Sequence, residues 1–172
     1  MNKHIILTGF MGSGKSAIGR ILAERLKRPF LDMDSEIEKR CSLTVSEIFE
    51  KLGEETFRDE EAKLVRELCR KRGWIIATGG GTLLRPENRH ALEKSGRIIC
   101  LFASEEELIR RLKGGEGRPL LFEKGVENRA KELLAERSQI YQQVPWKIDT
   151  TGLTSAQAAE KILAGIAKPP LK

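Results

Sequence analysis

Residues 9–16 read Gly-Phe-Met-Gly-Ser-Gly-Lys-Ser, the pattern G-x-x-x-x-G-K-[ST], and the setting of this octet constrains the chain more than any other stretch. The apolar run His4–Thr8 precedes it, and Ile18, Ile21, Leu22 and Leu26 follow at helical spacing, so the period switches from strand to helix across the loop. Glycines there let the backbone curl until successive N–H groups face an anion, and the helix N-terminus adds partial positive charge. The pattern predicts a nucleoside triphosphate site formed by Gly12, Ser13, Gly14, Lys15, Ser16 and Ala17. Lys15 would reach the β- and γ-phosphates, and the Ser16 hydroxyl would ligate Mg²⁺.

Short apolar runs rich in β-branched residues recur at 74–78, 97–102 and 146–149, with a weaker one at 29–32, and helical patterns lie between them. That alternation predicts an α/β fold, a parallel sheet with helices on both faces. A long helical insert over about 35–72 carries a capping-box pattern, Thr44-Val45-Ser46-Glu47, and Gly53 punctuates it into two parts. Pro86 and the acidic run from Ser104 open further helices, and Ala156, Ala159, Ile162, Leu163 and Ile166 stripe the last one. Lys113-Gly114-Gly115-Glu116-Gly117-Arg118-Pro119 reads as a charged, mobile loop, and the tail 168–172 as frayed.

With 172 residues the chain has room for one domain, so 1–172 is read as a single unit. The net charge of +6 points to anionic partners, and on charge alone nucleic acid, nucleotides and small carboxylates all stay open. Aromatics are only 5%, and no basic tract is interleaved with stacking side chains, which counts against a single-strand binding surface. Cys41, Cys69 and Cys100 lack C-x-x-C spacing, and only His4 and His90 could assist them as ligands, so reduced thiols are expected. Neither a signal peptide nor a membrane span is visible, which makes the cytoplasm the expected compartment.

A nucleotide site does not by itself separate a kinase from a switch GTPase or a motor. A switch GTPase should carry a base-reading N-K-x-D pattern, absent here, and motors usually need a longer chain. The small size, the insert after the second strand and the Gly/Arg loop favour a small-molecule kinase.

Asp32-Met33-Asp34, Phe57-Arg58-Asp59-Glu60-Glu61, Gly79-Gly80-Gly81 and Arg118-Pro119-Leu120-Leu121, followed by Arg137 with Tyr141, then resemble the shikimate kinase family, in order and over nearly the whole chain. Gluconate-type kinases share the phosphate loop and an Asp-x-Asp; the Phe-Arg-x-x-Glu and triple-glycine motifs discriminate. The resemblance implies a three-layer fold like that of nucleoside-monophosphate kinases, with five parallel strands in the order 2-3-1-4-5. It also implies a substrate-binding insert over about 33–61 and a lid over about 112–125. The implied reaction is phosphorylation of the shikimate 3-hydroxyl by ATP with one Mg²⁺, in the biosynthesis of chorismate and aromatic amino acids. The expected protein is a monomer that binds ATP and shikimate, and neither nucleic acid nor membrane.

Roles follow residue by residue. A carboxylate at the carboxyl end of the second strand faces the crevice of an open sheet, so Asp34 can orient a hydroxyl about to attack the γ-phosphate. Asp32, on the same side if the strand continues, could hold Mg²⁺ through water. Arg58 and Arg137 are the expected clamp on the carboxylate, since a guanidinium offers two parallel donors. Gly79, Gly80 and Gly81 would let backbone approach the substrate ring. Arg118 would supply charge to the transferring phosphoryl group, and Arg111 resembles the family's adenine-stacking arginine. Contacts to the base near 150–153 have no sharp signature.

Overall fold

The computed structural model describes residues 3–113 and 126–167. Arg118, with the rest of 114–125, and the tail 168–172 lie outside the described residues, and with them the expectations for the mobile loop, the lid and the frayed end.

The chain opens with β1 (His4–Thr8), whose side chains are all buried, and turns through the glycine loop into α1 (Lys15–Leu26). Gly14 holds φ 93°, a left-handed conformation that a side chain would resist, so glycine is needed at the point where loop becomes helix. β2 (Phe30–Asp32) is short. The insert then folds as α2 (Met33–Cys41), α3 (Val45–Leu52) and α4 (Glu54–Cys69). The Thr44–Glu47 capping box forms as expected, and Gly53 separates α3 from α4. A further break falls at Ser42, a left-handed residue that ends α2, so the insert has three helices where the sequence suggested two parts.

β3 (Ile75–Ala77) leads into a single 3-10 turn, Thr82–Leu84, and then α5 (Pro86–Ser95) starts on its proline. β4 (Gly96–Phe102), α6 (Glu105–Lys113), α7 (Val126–Gln142), β5 (Trp146–Asp149) and α8 (Ser155–Ala167) follow. All strand pairs are parallel, and their order is β2-β3-β1-β4-β5.

The period of two along the strands divides the core in two. Ile5 and Leu7 of β1, Ile75 of β3, and Ile99 and Leu101 of β4 pack against Ile18 and Leu22 of α1 and Ala159 and Ile162 of α8. Ile6, Ile76, Ile98 and Cys100 face the other way, against Met33 and Ile37 of α2, Leu64, Val65 and Leu68 of α4, and Leu92 of α5. The result is three layers, with the insert helices on one face and α1 with α8 on the other. Strand order reverses between β3 and β1, so the carboxyl ends of those strands, where the two glycine-rich segments emerge, flank the crevice in which such sheets bind ligands. Among the described residues no helix is long and apolar enough to cross a membrane, and Cys41, Cys69 and Cys100 are free thiols.

Candidate active site

Lys15 folds back over the phosphate loop, its Nζ donating to the carbonyl oxygens of Gly9 at 2.8 Å and Phe10 at 3.0 Å. One residue on, the Ser16 hydroxyl donates to a carboxylate oxygen of Asp32. The other Asp32 oxygen accepts from the Ser35 backbone N–H at 3.2 Å, so Asp32 is the N-cap of α2. The strand therefore does not continue to Asp34, as the expectation for this pair assumed. Asp34 stands in the first turn of α2 instead, half-buried, and reaches the crevice from a helix rather than from a strand end.

The three glycines after β3 form a collar on which the expected acceptor residues converge. A Cβ added to Gly79 would lie 2.7 Å from Asp34 Oδ1 and 2.5 Å from Glu61 Oε1. One on Gly80 would lie 2.9 Å from Arg137 Nη1, and one on Gly81 2.6 Å from Arg58 Nη1. Side chains from α2, α4 and α7 thus press on successive positions of one backbone segment, and a Cβ at any of the three would have to displace one of these polar ends. The Tyr141 hydroxyl donates to the Gly80 carbonyl at 2.5 Å and sits beside Arg137. Burial pushes that phenol up to about 12, so it stays a donor.

Arg58 is buried, and rings of Phe57 and Phe49 lie 5.4 and 5.9 Å from its guanidinium. Its Nη1 donates to Glu61 Oε2 at 2.6 Å, while Nε and Nη2 both donate to Glu54 Oε1, at 3.1 and 2.9 Å. Burial opposes its charge, but the Glu61 and Glu54 carboxylates outweigh that and hold its pKa above the ordinary arginine value. Glu61 also accepts from the Thr82 hydroxyl at 2.6 Å, tying α4 to the 3-10 turn behind the glycine collar.

On the far side of the phosphate loop an open cleft of about 460 Å³ is lined by Gly12, Gly14, Arg111, Thr150, Leu153 and Ala158. Arg111 is locked at its edges: Nε on Glu107 at 2.8 Å, Nη1 on the Thr150 hydroxyl at 3.1 Å, and Nη2 on the Thr150 carbonyl at 2.6 Å. Glu107 is held down to about 2 by Arg110 and, against the cost of burial, by Arg111 as well. A guanidinium with its edges occupied still offers its flat face for stacking.

Apart from Arg118, which lies outside the described residues, and Ala17, the sequence-predicted residues fall on the two sides of one crevice. Gly12, Gly14 and Arg111 line the cleft, and Lys15, Ser16 and Asp32 lie where α1 begins. Asp34, Arg58 and Arg137 gather on Gly79–Gly81, while Ala17 is exposed on the outer surface of α1. Sequence reasoning gave no role to Glu54, Glu61 or Thr82. The i, i+4, i+7 spacing of Glu54, Arg58 and Glu61 puts all three on one helix face and was the available signal.

A family model described as shikimate kinase matches residues 11–167. The chain is 46% identical to a shikimate kinase of Thermodesulfovibrio yellowstonii over 161 residues, covering 94% of this chain and 93% of that protein. It is 47% identical to one from Pelotomaculum thermopropionicum, covering 94% of each. Among solved structures, a shikimate kinase of Acinetobacter baumannii in complex with shikimate superposes with a TM-score of 0.91 at 37% identity, covering 100% of this chain and 97% of that one. Sequence and fold agree, and the chain belongs to the shikimate kinase family.

Proposed function

We propose that this chain transfers the γ-phosphoryl group of ATP to the 3-hydroxyl of shikimate, giving shikimate 3-phosphate and ADP. The observation that carries the reading is the convergence of a carboxylate, Asp34, and two guanidiniums, Arg137 and Arg58, on the collar Gly79–Gly81 beside the phosphate loop. Shikimate has a carboxylate on one side of a small ring and hydroxyls on the other, which is the polarity this arrangement matches. A sugar acid or a nucleoside monophosphate lacks that combination on a rigid ring.

Arg58 and Arg137 bind the carboxylate and fix the ring, which converts a collision into an oriented approach. Asp34 accepts the proton of the 3-hydroxyl as its oxygen attacks the γ-phosphorus. Lys15, and Arg118 by its place in the family motif, offset the negative charge carried by the transferring group. The face of Arg111 stacks on the adenine in the cleft floored by Gly12 and Gly14.

The donor set fits Mg²⁺: Ser16 and Asp32 bring two hard oxygens into contact at the start of α1, and this ion takes one or two protein oxygens and completes its shell with phosphate oxygens and water. When bound, the ion neutralises phosphate charge and aligns the triphosphate. The protein is read as a cytoplasmic monomer, in a compartment that keeps its three thiols reduced.

A coupled assay for ADP release with shikimate, gluconate, nucleoside monophosphates or no acceptor tests the reading. Turnover is expected with shikimate alone. Equal turnover with gluconate, or ADP release that ignores the acceptor, would overturn it.

A further inference from the structure

Arg58 carries more negative charge around it than a carboxylate-binding residue should tolerate. One guanidinium faces two carboxylates, Glu61 on Nη1 and Glu54 across Nε and Nη2. The atoms Glu54 engages form a two-donor edge of the guanidinium, the geometry on which any carboxylate forks. Nη1 is already engaged by the buried Glu61, and a Cβ on Gly81 would meet Nη1, Nη2 and Cζ at 2.6, 2.7 and 2.8 Å, so the Gly81 backbone stacks over the guanidinium face near that end. With Nη1 held by Glu61, the edge through Nε and Nη2 is the two-donor edge occupied by an exchangeable carboxylate, that of Glu54.

The two acids differ in how readily they can leave. Glu61 has no exposure and is also held by Thr82, so releasing it would strand a charge in the core. Glu54 is 59% exposed in the first turn of α4, next to Gly53, around whose α-carbon the space is open, and it can swing into water at small cost. The neighbouring acids Glu55 and Asp59 are both engaged by Arg85 and do not reach Arg58.

We propose that Glu54 is a competing carboxylate, displaced from Arg58 by the carboxylate of the incoming substrate, so that binding exchanges one ion pair for another. The proposal rests on the reading that Arg58 receives the shikimate carboxylate. Its consequence is a selectivity device: a ligand without a carboxylate cannot replace what Glu54 supplies, and the resting site never leaves the buried guanidinium without a counter-charge.

The test compares wild type, Glu54→Gln, Glu55→Gln and Arg58→Lys with the double variant Glu54→Gln/Arg58→Lys, using steady-state kinetics and titration calorimetry with shikimate. Glu54→Gln should lower the shikimate KM and Kd about two- to fivefold, the scale of one exposed ion pair, with kcat and the ATP KM kept. Glu55→Gln removes the same charge one residue away and should leave shikimate affinity unchanged. In the Arg58→Lys background the gain should vanish, because the effect runs through the guanidinium edge. Affinity that is unchanged or weaker in folded Glu54→Gln, or an equal gain from Glu55→Gln, overturns the competition while leaving the shikimate reading standing. A wild-type protein that turns over ATP without using shikimate overturns the reading and the competition together.

Discussion

Glu61 and Arg58 meet at 2.6 Å where the Glu61 side chain has no exposure to solvent, and the other oxygen of the same carboxylate holds the Thr82 hydroxyl. A buried carboxylate with both oxygens engaged is stable only as a set. Glu61→Ala leaves Arg58 half-paired and Thr82 without its acceptor, and should cost about 3–5 kcal/mol of folding stability. Glu61→Gln, which keeps an acceptor for Thr82, should cost less. Denaturant unfolding of the two variants measures the difference, and equal stability of Glu61→Ala and wild type would mean the pair is not structural.

Lys15→Met should abolish most phosphoryl transfer and leave the fold intact. The Lys15 Nζ donates to two loop carbonyls, and methionine keeps an unbranched stem of similar length in place of the charged one. Loss of a charge aimed at the transferring phosphate should lower kcat on the order of 10²–10³-fold. Unchanged circular dichroism and melting temperature beside the lost rate would establish the division; normal turnover would remove Lys15 from the site.

Much of this was legible in the sequence because it rests on local periods. Ile5 and Leu7 against Ile6 reveal a two-sided strand, and the switch to Ile18 and Leu22 marks where the helix begins. The position of Asp34 was misjudged for a local reason too. Asp32 followed three residues later by Ser35 is an N-cap arrangement, and the cap ends the strand at Asp32. Ser42 gave no warning, because the left-handed residue that ends α2 is not a glycine. The burial of Glu61 was legible only in part: Phe57, Leu64, Val65 and Leu68 mark the buried face of α4 on which it falls, but five of the eight residues from Glu54 to Glu61 are acids, and the Thr82 hydroxyl that helps hold this one inside arrives from beyond β3.

Stability should fall as the pH drops below the ordinary histidine range, through His4. The ring is buried at the start of β1, with Nε2 donating to the Leu68 carbonyl at 3.1 Å and Nδ1 accepting the Trp74 N–H at 3.1 Å. Both nitrogens are therefore used by the neutral ring. Burial lowers its pKa, only partly offset by the Leu68 carbonyl, and Arg28 adds to the lowering. A folded pKa below the unfolded one, about 6.5, means the contribution is complete above that pH and lost as the pH falls through it. Unfolding free energies measured between neutral and mildly acid pH should slope downward, and His4→Gln should flatten that slope. A slope that His4→Gln leaves intact would assign it to other groups.

The sharpest division expected within the site is between Asp34 and the two arginines. Arg58 and Arg137 approach adjacent positions of the glycine collar, at Gly81 and Gly80, while Asp34 approaches Gly79. If the arginines hold the substrate's carboxylate, lysine in place of either keeps the charge but loses the planar pair of donors. The shikimate KM should then rise about ten- to hundredfold, the scale of a charge-assisted hydrogen bond, while ATP binding is nearly kept. Asp34→Asn keeps size and much of the hydrogen bonding but cannot take a proton. Its loss should fall on kcat, about 10²–10⁴-fold, with shikimate still bound in calorimetry. The collar sharpens the comparison, because Asp34 faces it at Gly79 while Arg137 and Tyr141 face it at Gly80, and the Tyr141–Gly80 contact should survive replacement of Asp34. Full activity in folded Asp34→Asn, or unchanged shikimate affinity in both arginine variants, would put the acceptor hydroxyl somewhere other than at this collar.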